Sequence, residues 1–94
     1  MNFDWDEAKN LINLRKHGVE FVEAAQVFSD PNQLPILDRV VDGEVRWKTI
    51  GRAGGVLLLT VAHTVLDDDG DEYYRIISAR RASPREREHY EENL

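Results

Sequence analysis

A chain of 94 residues with 41% hydrophobic content suffices for one small domain, residues 1–94, that leaves part of its apolar surface exposed even when folded. It has no cysteine, which excludes disulfides and cysteine zinc sites and fits a reducing, cytoplasmic setting, and its longest apolar run, Val56 to Leu59, is too short to cross a bilayer. The formal charge of −6 weighs against a general polyanion binder, yet residues 39–66 and 72–81 each carry a net +2 between acidic stretches.

In chain order, FDWDEAKNLINLRKHG predicts a first helix. Asp4 with Glu7 three residues on has the spacing of a capping box, and Gly18 stands where a left-handed C-terminal cap belongs. Ala8, Leu11, Ile12 and Arg15 then share one stripe. VEFVEAAQVFSDP predicts a second helix, because Phe21, Ala24, Ala25 and Phe28 fall at i, i+3, i+4 and i+7. Asp30-Pro31 ends it, since the residue before a proline avoids helical dihedrals.

The apolar period then changes. LPILDRVV, EVRWKTIG, VLLLTVAHTV and EYYRIISAR read as strands separated by Asp42-Gly43, by Ala53-Gly54-Gly55 and by DDDGD, the first a two-residue signal for a primed hairpin turn. Short connections of this kind predict a four-stranded antiparallel meander. The third of these strands is apolar at both parities, Leu57, Leu59 and Val61 against Val56, Leu58 and Ala62, so it is expected at the centre with both faces covered. Ser83, Pro84 and Glu86 then predict a capped last helix reaching about Glu92. The expected class is α+β: two N-terminal helices, a four-stranded meander and a C-terminal helix. One sheet face lies under the first helices; the other needs the last helix, a partner, or both.

The acidic turn Asp67 to Glu72 invites a calcium reading. Setting Gly70 at the sixth position of an EF-hand loop puts Val65 at the first and Ile76 at the twelfth, and neither side chain bears an oxygen, so a solvated hairpin turn is expected instead. His17, His63 and His89 show no metal-binding spacing, and no metal or cofactor is expected. His17 ends the first helix, where a cation complements the helix dipole, and His89 sits among glutamates on a solvated face. His63 ends the central strand on the parity of Leu57, Leu59 and Val61, where an imidazole serves equally as a proton carrier or as a hydrogen-bonded core residue.

The basic residues form the strongest constellation. Strand alternation puts Arg46 with Lys48 on one face, and Arg80 with Tyr74 and Ser78 on one face, while Arg75 and Arg81 point the other way. Such side chains can line a groove for a polyanion, with Tyr73 or Tyr74 stacking on a base and arginine forks meeting phosphate. Pairing with the chain's own Asp and Glu residues is the competing reading, and composition leaves both open.

The order of short motifs goes further. FDWDEAKNLINLRKHGV, FVEAAQVFSDP, RWKTIG and RIISARRAS, followed by Glu86, Arg87 and Tyr90, together resemble the BrnT family of type II toxins, from Phe3 to Tyr90. The resemblance implies a RelE-like microbial ribonuclease fold, and an endoribonuclease that inhibits growth until neutralised. The neutralising partner it implies is a BrnA-like antitoxin, encoded nearby, whose ribbon-helix-helix region contacts operator DNA, so that this chain reaches DNA only through it. Motif positions carried by the resemblance are Lys16, His17 and Gly18, then Arg46, then Arg75, Ser78 and Arg80, then Glu86, Arg87 and Tyr90.

RNA supplies its own nucleophile, the 2′-hydroxyl, so cleavage without a metal needs a base, an acid and cations around the phosphate. Arg80 and Arg46, with Arg75, are expected to bind phosphate. His63 is the first expectation for proton transfer, with Lys48, Lys16 or His17 as substitutes, and Tyr74 is the expected stacking platform. The alternative is a non-catalytic binding module that scaffolds a DNA-binding antitoxin and co-represses its operon.

Overall fold

In the computed structural model, which describes residues 2–94, the chain runs β1 (Asn2–Trp5), α1 (Glu7–His17), α2 (Phe21–Ala24) continued by a 3-10 turn (Ala25–Ser29), β2 (Leu34–Val41), β3 (Glu44–Ala53), β4 (Leu57–Asp68), β5 (Asp71–Arg81) and α3 (Pro84–Glu92). The strands form one sheet in the order β1-β5-β4-β3-β2. The antiparallel meander is present, and β4 is its central strand.

The first correction is the fifth strand. β1 pairs in parallel with β5, Phe3 opposite Tyr74 and Trp5 opposite Ile76. Its signal is a period of two hidden in FDW: Phe3 packs on Phe28 and Tyr74, Trp5 packs on Phe21, and Asp4 between them meets Arg75 directly opposite. The helix cap therefore moves from Asp4 to Asp6, whose carboxylate accepts hydrogen bonds from the Ala8 and Lys9 amides at 2.8 and 3.3 Å. Gly18 holds the expected left-handed cap with φ 70°.

α1 does not dock by the expected stripe, for Leu11 and Ile12 are 56% and 62% exposed. It docks by amides. β1 stops opposite Ile76, so farther along β5 the Ala79 peptide has no strand on that edge. Asn13, buried, donates to the Ala79 carbonyl at 2.8 Å and accepts from the Ala79 amide at 3.1 Å, standing in for the missing strand, and also donates to the Val19 carbonyl.

The second expected helix is one α turn that tightens into the 3-10 turn: of the expected line, Phe21, Ala24 and Phe28 are buried and Ala25 only half so, while Val27, three residues after Ala24, joins them. These side chains, with Leu59, Val61, Ile76 and Ala79, form the core on what we call the inner face of the sheet. Gly51 lets β3 come this close: a Cβ there would stand 2.7 Å from a Val27 methyl.

On the outer face, α3 seats Tyr90 against Ile50 and Leu58 and covers one end. Ser83 and Glu86 form the expected capping box. Val56, expected in the central strand, lies in the preceding turn and is 81% exposed. Both Asp-Gly pairs make primed turns, with φ 50° and 79° at Asp42 and Gly43 and 53° and 87° at Asp69 and Gly70, so the acidic loop shrinks to two residues. No helix among the described residues is long and apolar enough to cross a membrane.

Candidate nucleic-acid interface

Two irregularities in the ladder shape the outer face. β2 has one extra residue, Asp38, between the pairs Leu37 to Trp47 and Arg39 to Arg46. β5 has another, Ile77, between Ser78 opposite Ala62 and Ile76 opposite His63. Such bulges re-aim side chains, and here they change which residues share a face. Lys48, Ala62 and Ser78 line up across β3, β4 and β5, and small Ala62 leaves a depression between its neighbours. Arg39 and Arg46 close one side, and both bulge residues, Asp38 and Ile77, line the same open groove of about 290 Å³.

The groove's cations are held loosely. Lys48 Nζ lies 3.7 Å and Arg39 Nε 3.9 Å from the Asp38 carboxylate, and Arg46 Nε lies 3.6 Å from Glu44. None of these is a hydrogen bond, and Arg46 Nε is buried without a hydrogen-bond partner among the described residues. Arg80 borders the groove two residues beyond Ser78, and it is held tightly. Its guanidinium grips Glu86 with two bonds, 2.7 and 3.0 Å, and Glu86 also accepts from Thr60 and from the Ser83 amide. The Arg80 bonds, with those from Ser83 and Thr60, outweigh burial and hold the Glu86 carboxyl at about 2.

Residues 5–86 match the family described as "Ribonuclease toxin, BrnT, of type II toxin-antitoxin system". The chain belongs to the BrnT family. Among solved structures it resembles the 1.1 Å crystal structure of the Brucella abortus ribonuclease toxin, BrnT, with a TM-score of 0.60 and 27% identity over 88% of this chain and 97% of that one. A comparison with curated protein sequences gave no match. A BrnT toxin is a ribonuclease toxin of a type II system, in which an antitoxin partner is expected.

The BrnT motif residues divide into two groups. Arg46, Lys48, Ser78 and Arg80 stand together on the outer face. Arg75 joins that face, contrary to simple alternation, because the Ile77 bulge shifts the parity of everything before it; opposite Thr64, it gives its charge to Asp4 through bonds of 2.7 and 3.1 Å. The same shift corrects the expected grouping of Tyr74 with Arg80. Tyr74 faces inward, packed edge-on against Phe3 and Phe28 and stacked on His63 at 5.1 Å.

His63 also faces inward and is not brought to the arginines. It is 2% exposed, with Nε2 2.7 Å from the Thr49 hydroxyl and Nδ1 3.4 Å from the Thr64 carbonyl. A carbonyl only accepts, so the proton belongs on Nδ1 and Thr49 donates to Nε2. Burial pushes the imidazole down to about 4, offset only in part by the Thr64 contact. Lys16 and His17 lie exposed in the last turn of α1 and are not among the residues that line the groove.

Tyr90, and the aspartate before Pro31, hold the fold. β2 begins opposite Ile50, which leaves the Arg52 amide without a strand partner, and Asp30 accepts it at 2.8 Å. Asp30 also accepts from the Tyr90 hydroxyl at 2.7 Å and the Asn32 amide at 2.8 Å. Burial alone would push this carboxyl up, but the bonds from Tyr90, Arg52 and Asn32, with the Arg52 charge, bring it below its ordinary value. Asp38 and Arg39 are the groove residues that the motif reading missed. Their signal was a slip of phase in LPILDRVV, where apolar Ile36 and Leu37 are adjacent before Asp38 and Arg39 interrupt the run.

Proposed function

We propose that this BrnT chain is a metal-independent endoribonuclease that acts in the cytoplasm, arrests growth, and is neutralised by a BrnA-like ribbon-helix-helix antitoxin through which it reaches operator DNA. A RelE-like relation of the fold belongs to the same proposal. The observation that carries it is the convergence of Arg46, Lys48, Ser78 and Arg80 on one open face of the sheet in a chain of a ribonuclease toxin family. In this reading Arg46 and Lys48 bind the scissile phosphate, and Arg80, held rigid by Glu86, faces the charge that develops on it. A guanidinium that needs no reorganisation during reaction stabilises that charge most effectively. His63 and Tyr74 support the core, and Arg75 secures β1.

A non-catalytic scaffold is the second reading, favoured by one observation: the groove and its borders pair their cations with Asp38, Glu44, Asp4 and Glu86. Expression in a host separates the two. Growth arrest relieved by the antitoxin, together with cleavage of RNA by the purified chain, supports the toxin. Arg80→Ala is expected to lower cleavage at least about 10²-fold while the chain stays folded. A folded Arg80→Ala variant with wild-type turnover removes Arg80 from the site, and a wild-type chain that leaves RNA intact at low salt selects the scaffold.

A further inference from the structure

We propose that Asp38 is the general base of the groove, the group that takes the proton from the attacking 2′-hydroxyl. The assignment rests on the ribonuclease reading above and gives it the proton acceptor it lacks.

Position is the first argument. The β2 bulge sets two residues, Asp38 and Arg39, against the single residue Arg46, so a carboxylate enters a groove otherwise lined by cations and small or apolar side chains. Bulges recur beside active sites because they re-aim one side chain without unravelling the sheet.

Availability is the second. On this face Glu86 is spent on Arg80, Thr60 and the Ser83 amide, and Asp4 is spent on Arg75 at 2.7 Å. Asp38 is different. Its contacts to Lys48 and Arg39, at 3.7 and 3.9 Å, hold the carboxylate in place while leaving its lone pairs free of hydrogen bonds from them. Its side chain is 28% exposed, sheltered yet open to the groove.

Elimination is the third. His63 lies behind the sheet, and Lys16 and His17 lie on α1. Beside Arg39, Arg46, Lys48 and Ser78, Asp38 is the groove group suited to accept a proton from an alcohol.

The 2′-oxygen attacks phosphorus as its proton passes to the Asp38 carboxylate. The bond from phosphorus to the 5′-oxygen breaks, and the 5′-oxygen leaves as an alcohol with a proton from the Lys48 ammonium. The products are a 2′,3′-cyclic phosphate and a 5′-hydroxyl end. Proton transfer from Asp38 to Lys48 then restores both groups.

Charge neutralisation alone would give Asp38 the opposite effect, and Asp38→Asn separates the two. With a labelled RNA oligonucleotide, this variant is expected to cleave at least about 10²-fold more slowly than wild type. It should bind a 2′-O-methylated oligonucleotide, which cannot be cut, at least as tightly. Asp38→Ala provides a second reading: added acetate, a diffusible carboxylate, is expected to raise its rate. Cleavage by Asp38→Asn at or above the wild-type rate overturns the assignment and leaves the ribonuclease reading standing. A wild-type chain that binds the methylated strand and cuts no RNA overturns both.

Discussion

A buried histidine makes the clearest residue-scale prediction. In the folded chain His63 is held at about 4, against 6.5 for the free side chain. Between those values the unfolded chain binds a proton that the folded chain refuses, so stability rises with pH through this window. It is complete above about 6.5 and is lost as pH falls towards 4, by on the order of 3 kcal/mol. Urea titrations of wild type and His63→Gln at a series of pH values test this: the variant is expected to lose the slope between 4 and 6.5. Glu86, held at about 2 in the folded chain against 4.5 for the free side chain, begins to lose its contribution only below about 4.5, so the two effects separate along the pH axis. An unchanged slope in the variant would place the acid sensitivity elsewhere.

At the scale of elements, the sheet is finished by side chains where strands run out. Asn13 completes the β5 edge past β1, and Asp30 completes the β3 edge before β2. Neither residue is apolar, and both are buried because a lone backbone amide or carbonyl costs more than a polar side chain that satisfies it. Asn13→Ala strands the Ala79 amide and two carbonyls, and is expected to cost about 2–4 kcal/mol in denaturant unfolding. A loss below about 1 kcal/mol would mean that water replaces the amide at that edge. Asp30 further ties the inner and outer layers together, since the Tyr90 hydroxyl reaches it from α3.

The whole molecule sets a limit on its RNA affinity. The chain carries −6, and the cations of the outer face are few and pair with its own carboxylates. If Arg46, Lys48 and Arg80 meet three phosphates of a single strand, log Kobs against log salt should have a slope of about −2. Affinity would then fall about 20-fold between 50 and 200 mM salt. A slope near −6, measured by fluorescence anisotropy, would require a far wider basic surface than this groove. The apolar side chains Leu37 and Val40, 59% and 60% exposed near the β2–β3 turn, leave a second surface that the groove does not use.

What the sequence by itself determined is local. The Asp-Gly turns, the Gly18 cap, the Ser83 capping box and the central place of β4 each depend on residues within a few positions of one another, and propensity or period reveals them. The family was legible too, because its motifs stand in order along the chain. Which motif residues meet was decided by the tertiary structure. Alternation assigns faces correctly only while the ladder is regular, and one extra residue at Ile77 moved Tyr74 inward and Arg75 outward, while another at Asp38 set a carboxylate among cations. A bulge is fixed by pairing with a neighbouring strand, and the flanking partners lie 7 and 10 residues away at Asp38 and 13 and 16 away at Ile77. The same holds for α1, where the apolar stripe faces solvent and Asn13 faces the sheet, because the vacancy it fills exists only once β1 has ended beside β5.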